Sequence, residues 1–423
     1  MSINHRVHRA RRAARFPVVA AVLAVTLLPT LTGPAPAGTA GPAVGAAAAA
    51  PAAPVPVAAP PMAAPAVAAP RVAARAAILA DESTGQVLFE RNPGVPRAMA
   101  STTKVMTALL TLERLDERRV VVIGVGPTRV GEESLALRRG ERLTVRQLLL
   151  GLMLKSANDA GVALAEAVDG SEAAFVRRMN AKAASLRLGA TRYVTPYGLD
   201  RPGHRTSARD LARLWEVAMR RADFRALVAT RSARLPGTPL SLRRFVTTNQ
   251  LLGPYRWTVG GKTGFTNRAG RCLVASASRG GRRLVAVALG SPNAFPDVRA
   301  LFEYGFSKFV RARLAGRGQP VAAASGRPAA LQVAADADAL VRLDQLDQLR
   351  LALPGQPAGG AAAPGRGWFL AGQRRLVPVP LALAPTGGPA GSALVAEAVV
   401  RLGPVPPGAA APVIDPFLRR GPR

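Results

Sequence analysis

Ser101-Thr102-Thr103-Lys104-Val105-Met106-Thr107-Ala108-Leu109-Leu110 is the stretch on which the fold turns. Val105, Met106, Leu109 and Leu110 recur at helical spacing as far as about Arg114, so the segment reads as a largely buried helix. Ser101 and Lys104 stand at i and i+3 at the start of that helix, on one face and one turn apart. An amine so placed can hydrogen-bond a hydroxyl with no histidine between them. To accept the hydroxyl proton, Lys104 must be neutral, which demands burial and a nearby positive charge. The apolar neighbours Val105 and Met106 favour burial. A serine three residues before a lysine is also common on solvated helix faces, so the pair gains meaning only from the rest of the chain.

Two further motifs follow. Ser156-Ala157-Asn158 closes an apolar run, residues 148–160, reading LLLGLMLKSANDA. Leu152, Leu154, Val162 and Leu164 extend a helical pattern across residues 151–168, which predicts a second buried helix. Lys262-Thr263-Gly264 follows Trp257-Thr258-Val259-Gly260-Gly261, as on an edge strand whose small residues let a substrate backbone lie alongside. A bulge or bend would account for the same glycines. Lys262 is the candidate second cation beside Lys104.

Around these motifs, residues 76–80 and 86–89 read as a hairpin with a glycine-containing turn. Residues 273–277 and 284–289 flank Gly280-Gly281, which suits a tight two-residue hairpin turn. Residues 296–311, with a stripe of Val298, Leu301, Phe302 and Phe306, read as a last helix packing on that sheet. The fold class is therefore α/β, an antiparallel sheet flanked by helices, over residues 76–315.

The flanks differ in texture. Arg6, Arg9, Arg11, Arg12 and Arg15 precede an apolar stretch at 16–31 and a small-x-small site at Ala35-Pro36-Ala37, so residues 1–37 read as an export signal, with an uncleaved anchor as the alternative. Residues 38–75 are an Ala/Pro-rich spacer, almost free of charge until Arg71. Residues 316–423 degrade into Ala, Gly and Pro with short apolar stretches, which suits a small, degenerate β-rich domain or a disordered tail.

Composition excludes several chemistries. With 1 Cys and 3 His in 423 residues, no internal disulfide forms and a zinc cage of His and Cys ligands is not available. His5 and His8 fall in the expected signal, which leaves His204 as the only histidine a Ser-His-Asp triad could use. It precedes the helix-cap sequence Thr206-Ser207-Ala208 and reads as structural. The net charge of +32 suits an anionic wall polymer or membrane surface, or simply an Arg-rich solvated exterior. Aromatic residues make up only 4%, too few for the stacking platform of a nucleic-acid binder, so nucleic acid is set aside.

The three motifs in this order match the signature of penicillin-binding proteins and class A β-lactamases. Their surroundings resemble the low-molecular-mass D-alanyl-D-alanine carboxypeptidases in particular. The matching stretches are Arg97-Ala98-Met99-Ala100, residues 148–160, Tyr197-Gly198-Leu199-Asp200 and residues 262–270 (KTGFTNRAG), and the likeness spans residues 76–310. The resemblance implies a β-lactamase/transpeptidase-like fold with an all-helical subdomain, and an extracytoplasmic enzyme of the cell envelope acting on peptidoglycan stem peptides. β-Lactams would inhibit it covalently, and neither cofactor nor metal is needed. Ser101 would be the nucleophile, Lys104 its base, and Ser156 with Lys262 the relay to the departing amine. Asn158 would hold the substrate backbone and Lys104. The backbone N–H groups of Ser101 and Phe265 would form the oxyanion hole. Lys262, Thr263 and Gly264 would bind substrate, Thr263 receiving the terminal carboxylate.

Two departures stand out. Members of the family often carry an arginine just before the residue matching Phe295, and here Ala294 stands there. In the family a β-rich domain often follows and ends in an amphipathic anchor, whereas residues 412–423, broken by Pro416 and Pro422, do not read as one. The rival functions are a D,D-endopeptidase using the same site, a β-lactamase, and a non-catalytic wall-binding protein. A β-lactamase calls for an E-x-x-L-N motif, which residues 170–211 lack.

Overall fold

The first strand, β1 (Ala76–Asp81), has six consecutive buried residues, which is what a strand covered on both faces requires. Ile78 and Ala80 belong to one apolar cluster and Ala77 and Leu79 to a second, so successive side chains feed two separate cores. The computed structural model describes residues 68–235, 243–318, 320–322, 331–352, 365–371, 374–383 and 394–395. The expected export signal, most of the spacer and the last residues of the C-terminal region lie outside the described residues. Val72 and Ala74 are already buried ahead of β1, and Ala73 donates its N–H to Asp297.

After β1 come β2 (Val87–Arg91), α1 (Lys104–Arg114), β3 (Val120–Val122) and β4 (Arg142–Thr144). Thr144 and Gln147 then form a capping box that starts α2 (Val145–Leu150). A π-turn at Gly151–Lys155 leads to α3 (Asn158–Asp169), followed by α4 (Glu172–Ser185). Next are α5 (Ala208–Met219), α6 (Ala222–Val228), β5 (Ser232–Leu235) and β6 (Arg243–Val246). The hairpin partners β7 (Thr258–Thr266), β8 (Gly270–Arg279) and β9 (Arg282–Ser291) precede α7 (Ala294–Lys308).

The central sheet has five antiparallel strands in the order β2-β1-β9-β8-β7. Gly280 and Gly281, at φ of 56° and 73°, make the tight β8–β9 turn that the Gly-Gly pair predicts. One face packs on α5 and α6, where Trp215 lies fully buried against Phe224, with α1 behind them. The other packs on α7, where Phe302 stacks on Tyr255 with ring centroids 6.1 Å apart. The strand carrying Lys262 therefore lies at the sheet edge, beside the helical part of the domain.

Two expected elements differ. The pattern over residues 151–168 does not form one helix: it breaks at Ser156, which adopts a left-handed φ of 66°, and restarts at Asn158. The apolar period survives on both sides of the break and hides it. The last helix spans Ala294–Lys308 rather than residues 296–311, because the Asn293 side chain caps its start and Phe309 leaves it for a strand.

That strand, β10 (Phe309–Ala315), pairs with β13 (Ala337–Arg342) in a C-terminal region that is β-rich where described. Its remaining strands are β11 (Pro320–Ala322), β12 (Leu331–Val333), β13 (Ala337–Arg342), β14 (Leu349–Ala352), β15 (Gly365–Ala371), β16 (Arg374–Leu383) and β17 (Leu394–Val395). Six of them form a sheet in the order β14-β15-β16-β12-β11-β17. Gln86 ties this region to the catalytic sheet by donating to Leu340 O (2.5 Å) and accepting from Leu340 N–H (2.8 Å). Among the described residues, no helix is long and apolar enough to cross a membrane.

Because Phe302 is fully buried between the sheet and two aromatic neighbours, Phe302→Ala should cost about 3–5 kcal/mol. Urea unfolding measures this, and a loss below about 1 kcal/mol would contradict the packing.

Candidate active site

The turn that carries Ser101 is held in an unusual backbone. Ala100 has a left-handed φ of 47°, and Ala100–Thr103 form a 3-10 turn that runs directly into α1. Side-chain hydroxyls secure it: Thr102 donates to Met99 O (2.6 Å) and Thr103 to Ala100 O (2.8 Å). His204 completes the support. Its Nδ1 accepts the Val194 N–H (3.0 Å), which places the proton on Nε2, 2.7 Å from Thr103 Oγ1. Burial pulls the His204 pKa down to about 4, so the ring is neutral at pH 7. His204 is thus a brace for the turn.

Two glycines let other segments close on this turn. Gly198 sits at φ 98°, where a Cβ would fall 2.1 Å from Ala100 O. Gly264 lies so close that a Cβ would be 2.8 Å from Ser101 N. The Lys262-Thr263-Gly264 strand therefore runs directly against the Ser101 backbone.

Lys104 is fully buried, and its Nζ meets three oxygens: Ser101 Oγ at 2.8 Å, Asn158 Oδ1 at 2.8 Å and Tyr197 O at 2.6 Å. Two of these are carbonyl oxygens, which only accept. A neutral amine has two N–H bonds and one lone pair. With the N–H bonds committed to Asn158 and Tyr197, the lone pair is left facing the Ser101 hydroxyl. Burial first, and the Lys262 charge second, hold the Lys104 pKa well below its ordinary value, which makes the neutral form accessible.

Lys262 is 1% exposed, and it donates to Ser156 Oγ (3.0 Å) and Thr263 O (2.9 Å). Burial lowers its pKa to about 7. The left-handed conformation of Ser156 is what breaks the helix, and it leaves the Ser156 hydroxyl at the cleft next to this amine. Both lysines thus engage a serine.

These groups open onto a cleft of about 760 Å³ that Ser101, Ser156, Thr263, Gly264 and Phe265 help to line. The structure brings the five expected catalytic side chains together, with Thr263 and Gly264 along one wall. Phe265 stands at the rim, 59% exposed. Ala294 and Phe295 close one end without charge. Arg299 stacks on Tyr255, with 5.8 Å from guanidinium to ring centroid, and is not among the cleft residues. Among the described residues, no group of three or more His, Cys, Asp or Glu side chains could hold a metal ion.

Several site residues carry no local sequence signal. Asp159, next to Asn158, is 1% exposed and accepts from Ser134 Oγ and from the N–H groups of Leu135 and Leu137. It thereby fixes the loop that brings Glu132 and Glu133 to the cleft. Thr248 Oγ1 lies 2.5 Å from Thr263 Oγ1. Arg271 reaches the same cleft from β8. The Asp159 and Thr248 contacts join separate segments of the chain, so neither periodicity nor a short motif reveals them, while Arg271 follows directly on residues 262–270 and is placed by the hairpin. Only Asp159 and Tyr197 fall inside the motif-bearing stretches of the sequence.

A family model described as D-alanyl-D-alanine carboxypeptidase matches residues 63–293. A D-alanyl-D-alanine carboxypeptidase of Mycobacterium tuberculosis is 38% identical over 242 residues, 55% of this chain and 82% of that protein. A D-alanyl-D-alanine endopeptidase of Pseudomonas aeruginosa is 36% identical over 274 residues, 59% of this chain and 86% of its own. The crystal structure of penicillin-binding protein 6B from Escherichia coli is similar with a TM-score of 0.60 at 28% identity, over 76% of this chain and 97% of that one.

The Glu133 carboxylate raises the pKa of both Lys104 and Lys262. Glu133→Gln should therefore lower both, so that Lys104 becomes neutral at lower pH. The acid limb of the pH–rate profile for Ser101 acylation is expected to move to lower pH. A shift to higher pH would contradict the assignment of Lys104 as base.

Proposed function

The chain belongs to the D-alanyl-D-alanine carboxypeptidase family of serine peptidases, and from that premise we propose that it removes the terminal D-alanine from peptidoglycan stem pentapeptides through an acyl-enzyme on Ser101. The observation that carries this reading is the Lys104 amine, held by two carbonyl oxygens with its remaining contact at Ser101 Oγ.

Lys104 takes the Ser101 proton as Oγ attacks the carbonyl of the penultimate D-alanine. The oxyanion lies between the Ser101 and Phe265 N–H groups, donors of a kind worth about 3–4 kcal/mol each. Gly264 supports this placement, since its bare Cα leaves the backbone of β7 free to approach Ser101 N. As the intermediate collapses, the Ser156 hydroxyl passes a proton to the departing amine and is resupplied by Lys262, 3.0 Å away. D-alanine leaves, the proton that Lys104 took from Ser101 passes through Ser156 to restore Lys262, and Lys104, neutral again, deprotonates the water that hydrolyses the ester and returns that proton to Ser101 Oγ as the acyl group departs. Asn158 orients Lys104 and the substrate backbone, while Thr263, with Thr248 behind it, receives the terminal carboxylate. No step calls for a cofactor or metal.

The enzyme acts outside the cytoplasm, on a wall polymer. We assign residues 1–37 to export, 38–75 to a spacer, 76–315 to the catalytic domain and 316–423 to a C-terminal accessory region. The +32 charge fits contact with anionic wall polymers or an anionic membrane surface. A second reading, a D,D-endopeptidase, is favoured by the endopeptidase relative and by Ala294, which leaves its own position in the cleft without a charged side chain. Its chemistry is identical, and only the group beyond the scissile bond differs.

A fluorescent penicillin should label the protein covalently, and Ser101→Ala should abolish the label and lower D-alanine release by about a thousandfold or more. Equal labelling of Ser101→Ala would overturn the reading. Release from a pentapeptide should exceed cleavage of purified cross-linked dimers, and the reverse order would assign the endopeptidase.

A further inference from the structure

The cleft carries one cation, Arg271, that is neither ion-paired among the described residues nor used by the chemistry above. Arg271 stands near the start of β8, directly opposite Phe265 in the β7–β8 ladder, with Thr263 opposite Leu273 two positions along. Side chains paired across an antiparallel ladder, and those two apart on one strand, share a face. Thr263, Phe265 and Arg271 therefore lie on one side of the hairpin, and all three line the cleft that contains Ser101. The Arg271 guanidinium rests 5.4 Å from the centroid of the exposed Phe265 ring, which limits its freedom without neutralising it.

The other cations of the cleft are committed. Lys155 is 3.1 Å from Glu133. Lys262 is buried and donates to Ser156 and Thr263 O, and Lys104 is held by Ser101, Asn158 and Tyr197. Arg271 forms no ion pair among the described residues. Asp297, at the start of α7 behind the Ser291 position that pairs with Arg271, has its oxygens engaged by Ser291 Oγ and Ala73 N–H. The cleft thus has polarity, with Glu132 and Glu133 on one wall and a free guanidinium beyond Thr263 on another.

We propose that Arg271, stacked on Phe265, binds the terminal carboxylate of the substrate together with Thr263 and Thr248, and that it sets the preference for a free C-terminus. The inference rests on the reading of the chain as a D-alanyl-D-alanine hydrolase. The two threonine hydroxyls, 2.5 Å apart, share one hydrogen bond between them, which leaves one O–H free to donate to a carboxylate oxygen. The guanidinium adds charge-assisted donors in a fork that matches a carboxylate. Ala294 and Phe295 supply none at that end. The stem then runs from Thr263 past Ser101 toward the Glu132 and Glu133 wall, so the polarity of the cleft fixes its direction.

The test compares a peptide ending in D-alanyl-D-alanine with the same peptide as its C-terminal carboxamide. The readout is the ratio of their kcat/KM values for the wild type, Arg271→Gln and Arg271→Lys. Arg271→Gln is expected to lower the ratio about tenfold or more, mainly through KM for the free acid, and Arg271→Lys to restore part of it. An unchanged ratio in Arg271→Gln overturns the proposal. The same ratio for Ser101 acylation by benzylpenicillin and its methyl ester is expected to fall in parallel. That arm tests Arg271 independently of the peptide reaction: a wild type that is acylated by penicillin yet releases no D-alanine would overturn the carboxypeptidase reading, while the penicillin ratio still decides the role of Arg271.

Discussion

A fully buried primary amine within 2.8 Å of a serine hydroxyl is the constraint around which the rest of the site is arranged. A charged ammonium in that position, with a second buried lysine nearby, is penalised by desolvation and by repulsion, in that order. The fold does not remove the penalty with an adjacent carboxylate. It uses carbonyl oxygens from Asn158 and Tyr197 instead, which orient the amine without adding a full negative charge. In the proposed reaction a lysine so held takes the role that histidine plays in a triad, and His204 serves as a brace behind Thr103.

That arrangement depends on backbone conformations that are costly in isolation. Ala100 and Ser156 both adopt left-handed φ values, and each stands beside a group of the site. Non-glycine residues in this region cost of order 1–3 kcal/mol and persist only where the surroundings fix them. Here the surroundings are visible: the hydroxyls of Thr102 and Thr103 close the first turn, and the Lys262 ammonium meets Ser156 at the second. Asp159 performs a similar service for the opposing loop by collecting two backbone N–H groups and the Ser134 hydroxyl. The two cores on either side of the sheet supply the stability against which these local costs are set.

How much of this is legible in the sequence follows from how local each feature is. The i, i+3 spacing of Ser101 and Lys104 determines their proximity once the segment is helical, and the Gly280-Gly281 turn is equally local. The sheet can be read from its continuous apolar strands, with the β8–β9 turn marked by its glycines. The break at Ser156 is invisible, because Leu152, Leu154, Val162 and Leu164 keep a helical period on both sides of it. The last helix departs from its expected extent at both ends because the Asn293 cap lies before Pro296 and the pull of β13 on Phe309 is a tertiary effect. Tyr197 O and Thr248 reach the site from outside the Lys262 hairpin and the Ser101 helix, and only the folded strands and loops bring them to it, whereas Arg271 sits across the β7–β8 hairpin from Phe265.

The charge distribution has an unusual feature that makes the central claim measurable. Of the 57 basic residues only five are lysines, and two of those five, Lys104 and Lys262, are the buried pair of the site. A titration of the lysine side chains by NMR, with ε-carbon labelling and assignment by Lys104→Arg, is therefore simple to interpret. The account predicts that Lys104 loses its proton well below the ordinary lysine value of 10.5. A Lys104 resonance that titrates at the ordinary lysine value of 10.5 would contradict the claim that a neutral buried amine is the base of this enzyme.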